Sequence, residues 1–380
     1  MILKNSVRNK RRSVLTVLSI SASLCLLGFL FALYHSFYFS ETTADQAMRL
    51  IVRNRVSLAN PIPVSYQPKI KQVPGVKEVM IFQWFGGVYK DARDPANFFG
   101  RFAVEGDKLA TVYNEYKIPD DQMKAFLAEQ TACVVGRKTA ERHKMKIGDR
   151  VVIVGDIFPV TLNLTVRAIY DASRDNENLM FHYKYLDEAL TSRRQGMVGV
   201  FVVRMERPED AAAISKSIDD MFRNAPLQTK TETEKAFELS FLAFLGNVKM
   251  FFLAICSAVT FTILLVAGNT MAMSVRERVR EVGILKTLGF TPGKIMTLLV
   301  GESVMISAIG GLIGLGLAHA LCAAMRQMPS MFTDMSRIIV PPSVTALCIA
   351  VAVAIGVLSC IIPAWTASRR SIVEALRVTD

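Results

Sequence analysis

Four stretches of this chain contain no Asp, Glu, Lys or Arg: residues 13–40, 250–275, 303–325 and 338–368, of 28, 26, 23 and 31 residues. The hydrocarbon core of a bilayer is about 30 Å thick and takes roughly 20 apolar residues to cross as a helix. All four are long enough, so the chain reads as an α-helical membrane protein with four transmembrane helices. A purely soluble protein is excluded. So is a largely disordered one, which needs low hydrophobicity. The apolar share of 51% would not decide this alone, being close to a soluble average.

A net charge of +12 raises the question of nucleic acid, and its distribution argues against it. Residues 41–249 hold 30 basic against 27 acidic side chains. The excess sits in short flanks of the apolar stretches. Lys4, Arg8, Lys10, Arg11 and Arg12 precede the first, five basic residues lie in 276–294, and Arg369, Arg370 and Arg377 follow the fourth. Basic flanks mark the cytoplasmic side of a membrane protein. With four spans both termini share a side, and all three flanks then face the cytoplasm together. The expected order is 1–12 inside, 13–40 as the first span, 41–249 outside, 250–275 as the second, and 276–297 as an inner loop. Then come 298–325 as the third span, 326–342 outside, 343–362 as the fourth, and 363–380 inside. The first apolar run exceeds the 7–15 residues of a cleaved signal, so it reads as an uncleaved anchor.

The long segment between the first two spans reads as a mixed α/β extracytoplasmic domain. Strands are expected at 76–85, 132–135, 150–154, 162–170 and 198–205, from apolar or alternating runs bounded by turn residues. Helices are expected after Asp120 as N-cap, at 137–143, and after Pro208 with Ile214, Ile218, Met221 and Phe222 on one face. Only Cys133 of the six cysteines lies in this segment, so it has no internal disulfide and must rely on an apolar core. Residues 41–53 and the stripe Phe237, Phe241, Phe244 and Leu245 lack Gly and Pro breaks. Both read as helices continuing out of the membrane as a stalk. At 1.5 Å per residue, ~12 residues would project the domain roughly 18 Å.

Chemistry is sparse. No Gly-x-Ser-x-Gly elbow or His-Glu-x-x-His pair occurs. The acids Asp171, Asp175 and Glu177 near His182 read as a solvated loop, and the scattered histidines and cysteines give no metal-ligand spacing. Leu288-Gly289-Phe290-Thr291-Pro292-Gly293-Lys294 superficially suggests a phosphate loop. It has three residues between the glycines instead of four, and Ile295 where Ser or Thr is needed. No catalytic residue, metal or cofactor is therefore expected, and any ATP belongs to a partner.

The same loop carries a resemblance. Arg280-Glu281-Val282-Gly283-Ile284-Leu285-Lys286-Thr287-Leu288-Gly289 resembles the signature of FtsX-like ABC-transporter permeases, apart from Thr287 where alanine is usual. The run Pro363-Ala364-Trp365-Thr366-Ala367, followed by Glu374-Ala375-Leu376-Arg377, resembles that family's C-terminal motif, with Ser371-Ile372 in place of Asp-Pro. The stretch from Val134 to Lys146-Ile147-Gly148-Asp149 is similar to a MacB-like periplasmic core domain. The resemblance implies a permease of the bacterial inner membrane, paired with a second permease as homodimer or heterodimer. It implies a separate cytoplasmic ATPase, an optional periplasmic adaptor, and lipid around the spans. It also implies that ATP-driven closure is transmitted to the outer domain (mechanotransmission), for export or extraction of a substrate. The alternative is a regulator that relays hydrolysis to a periplasmic hydrolase or sensor. Arg280, Glu281, Gly283, Leu285, Lys286, Leu288 and Gly289 are the residues it implies for ATPase coupling. Small-residue spacing puts Gly310, Gly311 and Gly314 at a helix-packing or dimer interface.

Overall fold

The computed structural model describes residues 10–39, 42–172, 176–244, 248–326 and 338–371; for 10–13, 37, 241–244 and 248–249 it describes the backbone only. In chain order, the first half runs α1 (Lys10–Tyr38), α2 (Ala44–Ala47), β1 (Arg49–Asn54), β2 (Ile62–Pro63), α3 (Gln67–Lys71), β3 (Val76–Trp84), β4 (Gly87–Tyr89), β5 (Arg101–Val104), α4 (Gly106–Val112), α5 (Asp120–Ala128), β6 (Ala132–Gly136) and α6 (Arg137–His143). It continues β7 (Arg150–Gly155), β8 (Thr161–Tyr170), β9 (Leu179–His182), α7 (Tyr183–Ala189), β10 (Met197–Val198), β11 (Val200–Met205), α8 (Ala211–Met221), β12 (Thr229–Thr233) and α9 (Glu234–Phe244). The last part is helical: α10 (Val248–Glu277), α11 (Val279–Thr287), α12 (Pro292–Met325) and α13 (Pro342–Arg369). Two compact units result. One is the inserted domain, ending at Phe244; the other gathers the long helices.

The inserted domain is built on a ten-stranded sheet of order β12-β1-β11-β3-β5-β9-β6-β8-β7-β4. Only Phe85 and Gly86 separate β3 from β4, yet the two stand six places apart in that order. The sheet must therefore curl until its far end meets the β3–β4 corner. The Phe85 amide donates to the Arg101 carbonyl on β5 at 2.8 Å, and the Gly86 carbonyl accepts from Asp156 after β7 at 3.2 Å. Closure leaves little room at the seam. A Cβ on Gly155 would lie 2.0 Å from the Phe158 carbonyl oxygen. Apolar clusters cover both faces of the sheet. Leu50, Val52, Cys133, Val135, Phe201 and Val203 belong to one cluster, and Ile51, Ala132, Val134, Val200 and Val202 to the other.

Burial on both faces explains where the expectation for 41–53 fails. No continuous helix runs from the first span: α1 ends at Tyr38, α2 is a single turn opened by a Thr43–Gln46 capping box, and residues 49–54 form β1 between β11 and β12. A strand buried on both faces need not alternate, and Arg49 and Arg53 are neutralised rather than solvated. Arg49, 2% exposed, meets Glu234 at 2.5 Å and Glu115 at 2.7 Å and lies 4.4 Å from the centre of the Tyr113 ring. Arg53 meets Glu232 at 2.8 Å. Gln46 donates to Glu238 at 3.0 Å, so the incoming and outgoing segments are bound together. On the outgoing side a helix is present as α9, and Phe237 packs against the domain core. The side chains of Phe241 and Phe244, and Leu245 itself, lie outside the described residues. A smaller correction concerns α5, where Pro119 is the N-cap and Asp120 the first helical residue, placing its charge in the first turn. Met221 is 45% exposed, leaving Ile214, Ile218 and Phe222 to anchor α8.

In the helical unit four segments are long and apolar enough to cross a membrane: Val14–Ser36, Met250–Glu277, Pro292–Met325 and Pro342–Arg369. The third helix starts at Pro292, inside the expected loop, and the fourth runs through Pro363 to Arg369. At 34 residues, α12 is about 51 Å long, well beyond the roughly 30 Å core. It is the hub of the bundle. Ser21 Oγ on α1 donates to the Gly310 carbonyl at 3.0 Å, and Ser303 and Ser359 meet at 3.3 Å between α12 and α13.

Candidate coupling site

After α10 ends at Glu277, the chain turns at Arg278 and starts the nine-residue α11. Its far end is closed by Gly289. The Gly289 amide bonds to the Lys286 carbonyl and the Phe290 amide to that of Leu285, both at 3.0 Å, with Gly289 at φ +86°. This is a Schellman cap, which needs a left-handed residue. Gly289 is thus placed by the backbone, and Thr291 and Pro292 then open α12 at once.

One side of α11 is sunk into the bundle. Val279, Val282 and Gly283 are buried, and Val282 joins Met271, Val275, Ile295, Leu299, Cys360 and Ala364 in one apolar cluster, with Leu285 packed against it. The opposite side carries Arg280, Ile284, Thr287 and Leu288, all exposed and spaced as one helical face. Ile284 is 49% and Leu288 70% exposed, and Phe290 beyond the cap is 38% exposed. Large apolar side chains presented from a loop of basic residues form a surface suited to a protein partner.

Polar contacts fasten α11 at both of its ends. Arg278 Nη1 donates to Glu302 Oε2 at 2.5 Å, with side chains 18% and 7% exposed. Lys286 Nζ donates to the Arg370 carbonyl just past the end of α13. Nearby, Arg369 lies 4.7 Å from the centre of the Trp365 ring. Of the residues expected to couple, Arg280, Leu288 and Gly289 are on the exposed side. Gly283 is buried, while Glu281, Leu285 and Lys286 are half-buried. The sequence reading omitted Ile284 and Phe290, though their apolar character in a charged loop was visible. Neither Arg278 nor Glu302 is among the residues that the family resemblance implies for coupling.

The three α12 glycines expected at an interface, Gly310, Gly311 and Gly314, face other helices of the same chain. A Cβ on Gly310 would lie 2.8 Å from Ile20 Cγ2. One on Gly314 would lie 2.6 Å from the Ser21 carbonyl oxygen, and one on Gly311 2.9 Å from Ala352 Cβ. Asp171 pairs with Arg137 and Glu177 with Arg142, both at 3.0 Å, while His182 Nε2 meets the Phe126 carbonyl; Asp175 lies outside the described residues. Among the described residues, no three His, Cys, Asp or Glu side chains gather as a metal site.

Residues 13–221 match the MacB-like periplasmic core domain, and residues 250–372 match the FtsX-like permease C-terminal domain. The uncharacterized ABC transporter permease MJ1507 of Methanocaldococcus jannaschii is 25% identical over 261 residues, 66% of this chain and 63% of that protein. The uncharacterized ABC transporter permease YknZ of Bacillus subtilis is 35% identical over 142 residues, 35% of this chain and 33% of its own length. The macrolide export ATP-binding/permease protein MacB of Chromobacterium violaceum is 32% identical over 108 residues, 28% of this chain and 16% of that protein. The matches therefore span less than two thirds of these relatives. Among solved structures, the extracellular domain of YknZ aligns with a TM-score of 0.37 at 14% identity, covering 48% of this chain and 98% of that one.

Proposed function

The chain belongs to the FtsX-like ABC-transporter permeases that carry a MacB-like periplasmic core domain, and from that premise we propose that it is the membrane subunit converting ATP hydrolysis by a separate cytoplasmic ATPase into movement of its inserted domain. In this reading both termini and the α11 loop face the cytoplasm of a bacterial inner membrane, and the inserted domain faces outward. A second permease completes the assembly, lipid surrounds the spans, and a periplasmic adaptor can join it. The work done is export or extraction of a substrate from the periplasm or membrane.

The observation that carries the proposal is the exposed face of α11. Arg280, Ile284 and Leu288 project from a short helix whose other side is anchored in the bundle. A docked ATPase would cover these apolar groups, and its movement would reach the helices through Val282 and Leu285. Burying each aliphatic side chain stabilises a complex by about 1.5–3 kcal/mol. Replacing both, Ile284→Asp with Leu288→Asp, should weaken docking by roughly a hundredfold or more. The test is co-purification of the ABC ATPase subunit with the tagged chain. The wild type should retain it and the double variant should lose it, with both chains equally abundant in the membrane. Equal retention would contradict the assignment of this face.

A further inference from the structure

Half-buried Arg278 meets buried Glu302 at the joint between the α11 loop and α12. Glu302 is ten residues into α12, about 15 Å along its axis, beside the apolar cluster that includes Leu299 and Ile306. An ionisable group in a membrane segment is costly and signals a function rather than simple packing. An apolar residue of similar volume would fill the space without desolvating a charge. A charge-assisted hydrogen bond adds a direction and a fixed register, which apolar contact does not supply. Arg278 is also the N-cap of α11, at φ −105° and ψ 8°, between the end of α10 and the start of α11.

We propose that the Arg278–Glu302 pair is a positioning latch, holding α11 at a fixed angle on α12 so that a push on the coupling helix turns both as one lever. This rests on the coupling role proposed for α11. The second fastening, Lys286 to the Arg370 carbonyl, is exposed and uses a backbone acceptor, so it yields more easily. From the latch, contact continues along α12 to α1 at Gly310 and Gly314 and to α13 at Gly311. α1 leads in the chain to the inserted domain.

The experiment separates docking from transmission. The full chain is reconstituted in nanodiscs with the ABC ATPase subunit that co-purifies with it. Docking is read as a disulfide from Leu288→Cys to a cysteine placed on that subunit. Transmission is read as stimulation of ATP turnover. Glu302→Gln keeps the shape of the side chain and one acceptor oxygen but not its charge. It should leave the cross-link intact and lower stimulation about tenfold, within the range by which residues along a coupling path act. Arg278→Lys should give a smaller loss. The swap Arg278→Glu with Glu302→Arg re-forms the pair with its polarity reversed and should restore stimulation, whereas a loss of stimulation with the cross-link still intact in Glu302→Gln is what a merely structural role would not give. Wild-type stimulation in Glu302→Gln with the cross-link intact overturns the latch and leaves the docking reading standing. Absence of the cross-link in an otherwise wild-type chain overturns the docking reading and the latch with it. If Glu302→Gln fails to accumulate, the swap decides: restored stimulation supports the latch, and a folded, docked but unstimulating swap refutes it.

Discussion

Gly314 and Gly316 sit two positions apart on α12 and should respond oppositely to the same methyl group. A Cβ on Gly314 would lie 2.6 Å from the Ser21 carbonyl oxygen and 3.1 Å from both the Cys25 nitrogen and Leu24 Cβ. Backbone atoms cannot rotate away, so α1 and α12 must separate locally by about 0.5–1 Å, forfeiting a quarter to a half of each dispersion contact along the seam. Overpacking of this kind costs roughly 1–3 kcal/mol. The same displacement strains the Ser21–Gly310 hydrogen bond, and interhelical bonds in membranes are worth about 0.6–1.7 kcal/mol. Gly314→Ala should therefore destabilise the bundle by about 2–4 kcal/mol. A Cβ on Gly316 meets nothing within 4 Å, so Gly316→Ala should be neutral, or gain up to about 1 kcal/mol from helix propensity. Unfolding in mixed micelles against rising denaturing detergent, followed by the fluorescence of Trp365 in a Trp84→Phe background, measures the difference. Equal midpoints for the two variants would refute the packing argument.

Arg49→Met should leave Glu234 and Glu115 without their shared cation, at about 3–5 kcal/mol. Hydrogen exchange at the β1 and β12 amides should accelerate, and Arg49→Met combined with Glu234→Met should recover much of the loss. Burial, helped by Lys90 and Arg142, holds the His143 imidazolium below its usual range. The unfolded chain then takes up a proton that the folded domain refuses. Stability should be steady above about pH 6.5 and fall as the pH drops below it. His143→Gln should flatten that acid limb in a melting-temperature series.

The membrane spans were legible because lipid demands long runs without charge, and a run is a local property of sequence. The β1 strand was not legible. Its Arg49 and Arg53 are four residues apart, as on a solvated helix face, and their neutralising acids Glu115, Glu232 and Glu234 lie far along the chain. Apolar Leu50, Ile51 and Val52 without alternation fit a helix or a doubly covered strand, and only the packed sheet decides. At the site, the motif located α11, but not which residues face outward. Gly289 proved to be fixed by its cap geometry. The partnership of Arg278 with Glu302 spans 24 positions and the turn between two helices, so nothing local announces it.

In the proposed mechanism ATP in the cytoplasm moves the inserted domain on the other side of the membrane. Val56, in a turn of that domain, is 83% exposed and suits a spin label through Val56→Cys. In nanodiscs containing two permease copies and the ATPase, pulsed electron–electron distances between the two labels should be measured without nucleotide and with ATP under non-hydrolysing conditions. The two distance distributions should differ, with the ATP-induced change lost when Ile284→Asp and Leu288→Asp are introduced. Identical distributions with and without ATP, in a complex shown to bind nucleotide, would contradict it.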